Sequence, residues 1–319
     1  MENKKIIIPI ILTLLVVLFI AINNHNNEEF HVEENSVITI TSGESNENTL
    51  VEEEIVEKIE SISPELKVYF FDVGQGDSIF VQNGDECMLI DAGNNPDGKY
   101  ISKYLRKTLG IEKINYLIGT HSHEDHIGGM DIIIEDFDIG TFYMPDSTAT
   151  NKTYKDVISW ANKKNLQIES PKIGATFKVG KAECEIMEKK DNSEDENENS
   201  IIVELRFGNQ KYLFTADMEV ANEISRKWND IDVLKVAHHG STYTSSMDFL
   251  KEVTPEIAII TCGKDNEYYY PHEAVLKRLK EVGCDNIYIT AELGTILITS
   301  DGLSNKVDSF REPMFDGNN

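Results

Sequence analysis

The chain has 319 residues, 40% of them apolar and 27% charged, which is enough to bury one large core or two small ones. Its 56 Asp and Glu exceed its 30 Lys and Arg and give a formal charge of -26, so a generally basic surface that holds nucleic acid by releasing counterions is excluded. Cys87, Cys184, Cys262 and Cys284 are too few and too scattered for a disulfide framework or a zinc ribbon, and they read as small buried apolar residues.

In chain order, Lys4 and Lys5 precede an uncharged run, IIIPIILTLLVVLFIAI, over residues 6–22. At about 1.5 Å per residue such a run barely crosses a hydrocarbon core of ~30 Å. It predicts a signal anchor rather than a cleaved signal peptide, because Ala21-Ile22-Asn23 is a poor cleavage site and no Cys follows to carry a lipid. The two lysines would stay cytoplasmic, leaving the remainder in the membrane's outer compartment, or secreted if the run is cleaved after all. Residues 23–64 hold eleven Glu against one Lys and read as a flexible acidic stalk, with His25 and His31 as solvated linker residues. One domain is expected over 65–319.

That body alternates strand and helix patterns. Strands are predicted at 67–71 and 78–81 around the turn DVGQGD, with a hairpin at Asn83-Gly84-Asp85 returning through 87–90. Apolar residues Ile101, Tyr104, Leu105 and Leu109 give a helix stopped by Gly110, then a strand at 114–119 and a helix at 130–137. Further strands follow at 176–179, 183–188, 201–207 and 212–215, and a helix at 220–228. Strands at 233–236 and 257–261, a helix at 272–282, and strands at 287–290 and 295–299 complete the set. The segment DNSEDENEN at 191–199 is too polar to pack and reads as an exposed loop. Two strand-rich halves with helices between them predict an α/β fold of two sheets packed face to face, with helices outside.

The strand at 114–119 ends in Thr120-His121-Ser122-His123-Glu124-Asp125-His126-Ile127-Gly128-Gly129. Three His and an Asp within six residues, in a chain with eight His, suit metal ligation. His121 and His123 at a strand tip can face one cation, and Asp125 and His126 on the following turn a second. Neutral imidazoles and a carboxylate suit Zn(II), with Mn(II) as the alternative. More ligands are needed. Asp217, at the end of the strand before Met218, is placed to bridge two ions. The adjacent His238 and His239 at a strand tip cannot both be core residues, because neighbouring side chains diverge, so they join the candidate ligands.

Taken together, FFDVGQGDSIFV, LIDAG, HSHEDHIGG, FTADME and LKVAHHGS resemble the metallo-β-lactamase superfamily, and within it the hydrolase domain of ComEC-type competence proteins. The resemblance covers about residues 65–300 and implies an αββα four-layer sandwich with two divalent metal ions in the cleft at the sheet edges. It implies that His121 and His123 hold one ion, Asp125 and His126 the other, that Asp217 bridges, and that His238 or His239 completes a ligand sphere, with His238 taken as the ligand. Asp91 of LIDAG would orient a ligand His. Asp125, His239, Ser241 or Thr242 would serve the reaction itself. Asp72 and Asp77 flank a glycine turn, where turn-making and site-shaping roles stand equal. The sequence departs from the superfamily in having no His between His126 and His238, with Asn199-Ser200 in that region, and in having Tyr270 where relatives carry a His before Pro271. His272 reads as a helix N-terminal residue.

The implied chemistry is metal-assisted hydrolysis, in which two cations lower the pKa of a water they share. Three readings of the substrate follow. The first is a phosphodiester, with DNA outside the cytoplasm as the partner. The second is a phosphocholine or teichoic-acid ester, or another small molecule of the envelope. The third is a binding module without catalysis. No protein partner is implied.

Overall fold

The computed structural model describes residues 65–311, together with a two-residue antiparallel pairing of Ile6–Ile7 with Val37–Ile38. The expected apolar span and acidic stalk otherwise lie outside the described residues. Among the described residues no helix is long and apolar enough to cross a membrane.

The first strand, β1 (Leu66–Phe70), shows how the layers arise. Its side chains alternate, so Leu66, Val68 and Phe70 enter one core while Tyr69 and the following Phe71 enter another. It pairs antiparallel with β2 (Ile79–Asn83), which turns through Asn83 and Gly84 into β3 (Glu86–Ile90). Helix α1 (Asp97–Lys103) widens into a π-helical turn over Tyr104–Thr108 and stops at Gly110, whose φ is +70°. Next come β4 (Lys113–Ile118), α2 (Glu124–Ile127), α3 (Met130–Asp136), β5 (Asp138–Tyr143), α4 (Lys152–Lys163) and β6 (Ile168–Glu169). Strands β3 to β6 run parallel.

The second half supplies β7 (Thr176–Val179), β8 (Ala182–Glu188), β9 (Ile202–Phe207) and β10 (Gln210–Phe214) as an antiparallel meander. A short α5 (Val220–Glu223), β11 (Val233–Lys235), α6 (Met247–Val253), β12 (Ile257–Ile260), α7 (Glu273–Glu281) and β13 (Asn286–Ile289) continue it, with β10 to β13 parallel. A single turn, α8 (Thr290–Leu293), then leads to β14 (Thr295–Ser300) and β15 (Asn305–Phe310), which cross back to the first sheet. The result is an eight-stranded sheet ordered β15-β14-β1-β2-β3-β4-β5-β6 and a seven-stranded sheet ordered β13-β12-β11-β10-β9-β8-β7.

Three cores separate four layers, as expected for an αββα sandwich. Between the sheets lie Phe70, Val81, Met88, Ile186, Val203, Phe214 and Ile259. Behind the first sheet, Ile101, Ile133 and Val157 of the helices meet Phe80 and Leu117. Behind the second, Phe249 and Val275 meet Leu234 and Ile260.

Several elements differ from expectation. The helix expected at 220–228 ends at Glu223: Ile224 is 74% exposed, and Trp228 turns inward with its indole N–H donating to the Glu223 carbonyl at 2.7 Å. Strand β5, helices α4 and α6, edge strand β15 and the short α2, β6 and α8 have no counterpart in the expected set. Helix α4 buries Thr153, Val157 and Ala161, with Tyr154 and Trp160 packed partly beside them, and β15 is half exposed along its length.

Candidate metal centre

The carboxyl ends of the parallel strands share one rim, where ligands of open α/β sheets bind. β3 leads to Asp91, β4 to the segment Thr120–His126, β10 to Asp217, β11 to His238 and His239, and β12 to Thr261. Backbone strain gathers there: Asp91, Ala216, His238 and His239 have φ of +58°, +45°, +47° and +54°. Gly76, at φ +141°, brings the turn DVGQGD against the His-rich loop. A Cβ on Gly76 would sit 2.3 Å from the Asp125 carbonyl oxygen, which accepts instead from the Asp77 N–H at 3.0 Å.

Hydrogen bonds fix three imidazole tautomers. Buried Asp91 accepts from the Thr120 amide at 2.8 Å, the Thr120 hydroxyl at 2.7 Å and His126 Nδ1 at 2.7 Å. With its proton committed to Asp91, the Thr120 hydroxyl is left to accept from His121 Nδ1 at 3.1 Å. His239 Nδ1 donates to the Thr261 carbonyl at 2.8 Å. Each ring therefore presents a bare Nε2, and what those lone pairs meet is other acceptors. His126 Nε2 lies 3.2 Å from Asp217 Oδ1, and His239 Nε2 lies 3.5 Å from that oxygen and 3.4 Å from Asp125 Oδ2. His121 Nε2 lies 3.1 Å from His123 Nδ1.

His126 Nε2, Asp217 Oδ1 and His239 Nε2 are buried and have no hydrogen-bond partner. Buried acceptors facing one another are costly unless a cation lies between them. Two ligands held by one tetrahedral Zn(II) at about 2.0–2.1 Å stand roughly 3.3 Å apart, so these spacings fit a shared ion. The donor atoms of His121, His126 and Asp217 fall within 4.8 Å of one another, as do those of Asp125, His126 and His239. The residues present fit divalent metal ions.

With no cation between them, the carboxylates would draw protons onto the facing imidazoles, a positive charge that a divalent ion would supply in their place. Burial pushes the His239 imidazole down, but Asp217, Asp125 and Asp77 outweigh it and carry it up to about 9. Burial would likewise raise Asp217, yet His239, His126 and His238 hold it well below the usual carboxylate range. His121 is pushed well below its ordinary value by burial and by neighbouring His126.

The two residues of the HHG turn part company. His239 is 1% exposed and joins the clustered donors, whereas His238 stands at the pocket wall outside those clusters. His238 Nδ1 meets Glu219 Oε1 at 3.0 Å, and its Nε2 lies 3.5 Å from the Tyr270 hydroxyl and 3.6 Å from Asp217 Oδ2. The sequence leaves the ligand place open between His238 and His239, with His238 taken first and a reaction role given to His239; the geometry sets His239 among the clustered donors. Ser241 is buried in the turn, its hydroxyl accepting from the Tyr243 amide at 3.4 Å, and neither it nor Thr242 lines the pocket. Asn199 is tied to Ser193 and Glu196, and Ser200 meets His121 on its Nδ1 side at 3.4 Å, so this segment backs the first ion's place without facing it. His272 accepts the Thr242 N–H at 2.9 Å at the start of α7, and Asp72 caps its own turn through the Gly74 amide at 3.2 Å.

The pocket over the cluster has a volume of about 340 Å³. Gln75, His123, Glu124, Asn197, Tyr268 and Tyr270 line it beside Asp125, Asp217, His238 and His239. Glu219, Asn197 and Tyr268 are the functional candidates that sequence reading passed over: Glu219 ends the motif FTADME but was given no role there, and Asn197 and Tyr268 sit in loops with no motif of their own.

This fold and this rim of His and Asp define a metallohydrolase sandwich, and the chain belongs to the metallo-beta-lactamase superfamily, whose model matches residues 71–264. Among curated proteins it is 28% identical to ComE operon protein 3 of Bacillus subtilis over 69% of this chain and 31% of that protein. It is 29% identical to Recombination protein 2 of Haemophilus influenzae over 68% of this chain and 26% of that protein. A shorter match, 31% identical over 34% of this chain and 19% of the relative, is to Ribonuclease J of Synechocystis. The chain thus spans less than a third of the length of these relatives. Among solved structures, the metallo-beta-lactamase fold protein YhfI from Bacillus subtilis has a TM-score of 0.52 at 14% identity, over 74% of this chain and 100% of that one.

Proposed function

We propose that this protein is a metal-dependent phosphodiesterase, acting as a nuclease on DNA outside the cytoplasm. The observation that carries the reading is the convergence of unpartnered His126 Nε2, His239 Nε2 and Asp217 Oδ1 at the floor of an open pocket. His121 and His123 with Asp217 would hold one divalent ion, and Asp125, His126 and His239 with Asp217 the other. Such ions, Zn(II) or Mn(II), supply Lewis-acid polarisation of the phosphoryl group and acidify a water.

The chain's own residues do the rest. Asp91 and Thr120 keep His126 and His121 in the tautomers that face the ions. Asp217, within reach of His121, His126 and His239, would serve both halves of the cluster. His238, braced by Glu219 at Nδ1 and open to the pocket, stands where a group that passes a proton to the departing oxygen is needed.

The kind of substrate is argued from Tyr268. Its ring stacks on Tyr270 at 5.4 Å and 17° and is 51% exposed at the pocket wall. Two parallel rings offer one flat face, which suits a planar base, whereas a trimethylammonium group is held by rings on several sides. Kinship with proteins named for recombination, the competence operon and ribonuclease activity supports a nucleic-acid substrate. The acidic surface favours a second reading, a phosphocholine or teichoic-acid esterase. Location outside the cytoplasm and attachment to the membrane rest on the apolar run at 6–22 behind Lys4 and Lys5.

The test is turnover of bis-p-nitrophenyl phosphate, single-stranded DNA, duplex DNA and a phosphocholine ester, with and without chelator. Chelator-sensitive cleavage of the diester and of single-stranded DNA is expected. Hydrolysis of the phosphocholine ester alone would transfer the assignment to the second reading, and activity on none would remove the enzyme.

A further inference from the structure

Beneath the ion cluster lies a charge pair that the proposed reaction does not use. Lys235, the last residue of β11, is wholly buried, and its Nζ meets Asp77 Oδ2 at 2.5 Å. Asp77 is 1% exposed and comes from the turn before β2, in the opposite sheet. Each member also touches a residue that carries a proposed ligand. Lys235 Nζ donates to the carbonyl of Ala216 at 3.0 Å; Ala216 has φ +45° and its neighbour is Asp217. Asp77 Oδ1 accepts from the Thr261 hydroxyl and stands 3.4 Å from His239 Nδ1, beside the Thr261 carbonyl that the same Nδ1 reaches at 2.8 Å.

We propose that Lys235 and Asp77 are positioning residues of the metal centre: the pair ties the two sheets at the rim, aiming Asp217 through the Ala216 carbonyl and His239 through its Nδ1. The pair has a second consequence. Asp77, Asp217 and His239 offer donor atoms within 4.8 Å of one another, so an uncompensated Asp77 would compete for an ion. Lys235 neutralises that carboxylate and keeps it behind the imidazole. Oriented partners of this kind typically set metal affinity by roughly 10–100-fold. A pair that served stability alone would behave differently, because removing both charges of a buried ion pair together is often neutral for folding, while removing one is not.

The experiment compares full-length protein with Lys235→Met and with the double variant Lys235→Met, Asp77→Asn, using Co(II) as the probe. Readouts are Co(II) stoichiometry after dialysis at fixed free metal, the visible d–d spectrum, and the melting temperature. Lys235→Met alone is expected to be destabilised by the stranded carboxylate. The double variant is expected to melt close to the parent, yet to hold one of its two ions 10–100-fold more weakly, with an altered spectrum. A double variant that matches the parent in stoichiometry, affinity and spectrum overturns the proposal. So does one that fails to fold, since the pair would then serve the fold itself. The inference rests on the two-ion reading, and a parent that takes up no Co(II) would end that reading directly, which separates the two failures.

Discussion

His238 and His239 are adjacent in sequence and equal in chemistry, and backbone geometry alone gives them different work. Both are left-handed, so the turn throws one ring under the rim and the other out to the wall. His239→Ala should therefore release one ion and abolish turnover. His238→Ala should keep both ions while lowering kcat by about 10²–10⁴, the usual worth of a placed proton donor. Elemental analysis alongside kinetics checks the pair; loss of metal in His238→Ala would exchange their roles. Tyr268→Ala should erase any preference for an ordinary oligonucleotide over one made abasic next to the cleaved bond, a stacking contribution of about 1–3 kcal/mol. An unchanged ratio of kcat/KM for the two substrates would refute the stacking face.

Much of this rim was legible from residues alone, because His121, His123, Asp125 and His126 sit in one short string and Asp217 ends a strand. The choice between His238 and His239 was not, since it depends on two dihedral angles. Nor was the role of Asp77, whose partner Lys235 belongs to the other sheet. The sequence left Asp77 equally a turn-maker or a site-shaper, and showed Lys235 as one more strand position.

At the scale of elements, the strands were readable wherever one side chain in two entered a core, as in β1. They were missed where that contrast fades: β5 carries Gly140 and begins two residues after α3, and β15 lies at a polar edge. The close approach of helices α1 and α3 depends on Gly129, where an added Cβ would sit 2.4 Å from the Ala92 carbonyl oxygen and 2.5 Å from the Gly98 nitrogen. Both neighbours are backbone and cannot step aside. Gly129→Ala should cost about 1–3 kcal/mol or more in a denaturant titration, by overpacking. Wild-type stability would show that the two helices can separate freely.

At the scale of the molecule, the sandwich keeps its thiols out of reach. Burial pushes Cys87 and Cys284 up to about 11 and Cys262 up to about 12, and all four cysteines are buried and unpaired. Raised values mean essentially no thiolate at pH 8, so a thiol reagent should leave the native protein unlabelled there and modify four sites once it is unfolded. Rapid labelling of the native state would place a cysteine at the surface.

The three cores of that sandwich serve one end: they hold loops from two sheets so that bare nitrogens and carboxylate oxygens meet. Anomalous diffraction from crystals of the protein grown with Mn(II) or Zn(II) tests that meeting most directly. Two peaks are predicted, sharing Asp217, one against His126 Nε2 and His239 Nε2 and the other against His121 and His123. Peaks elsewhere, or none in the presence of excess metal, would contradict the account.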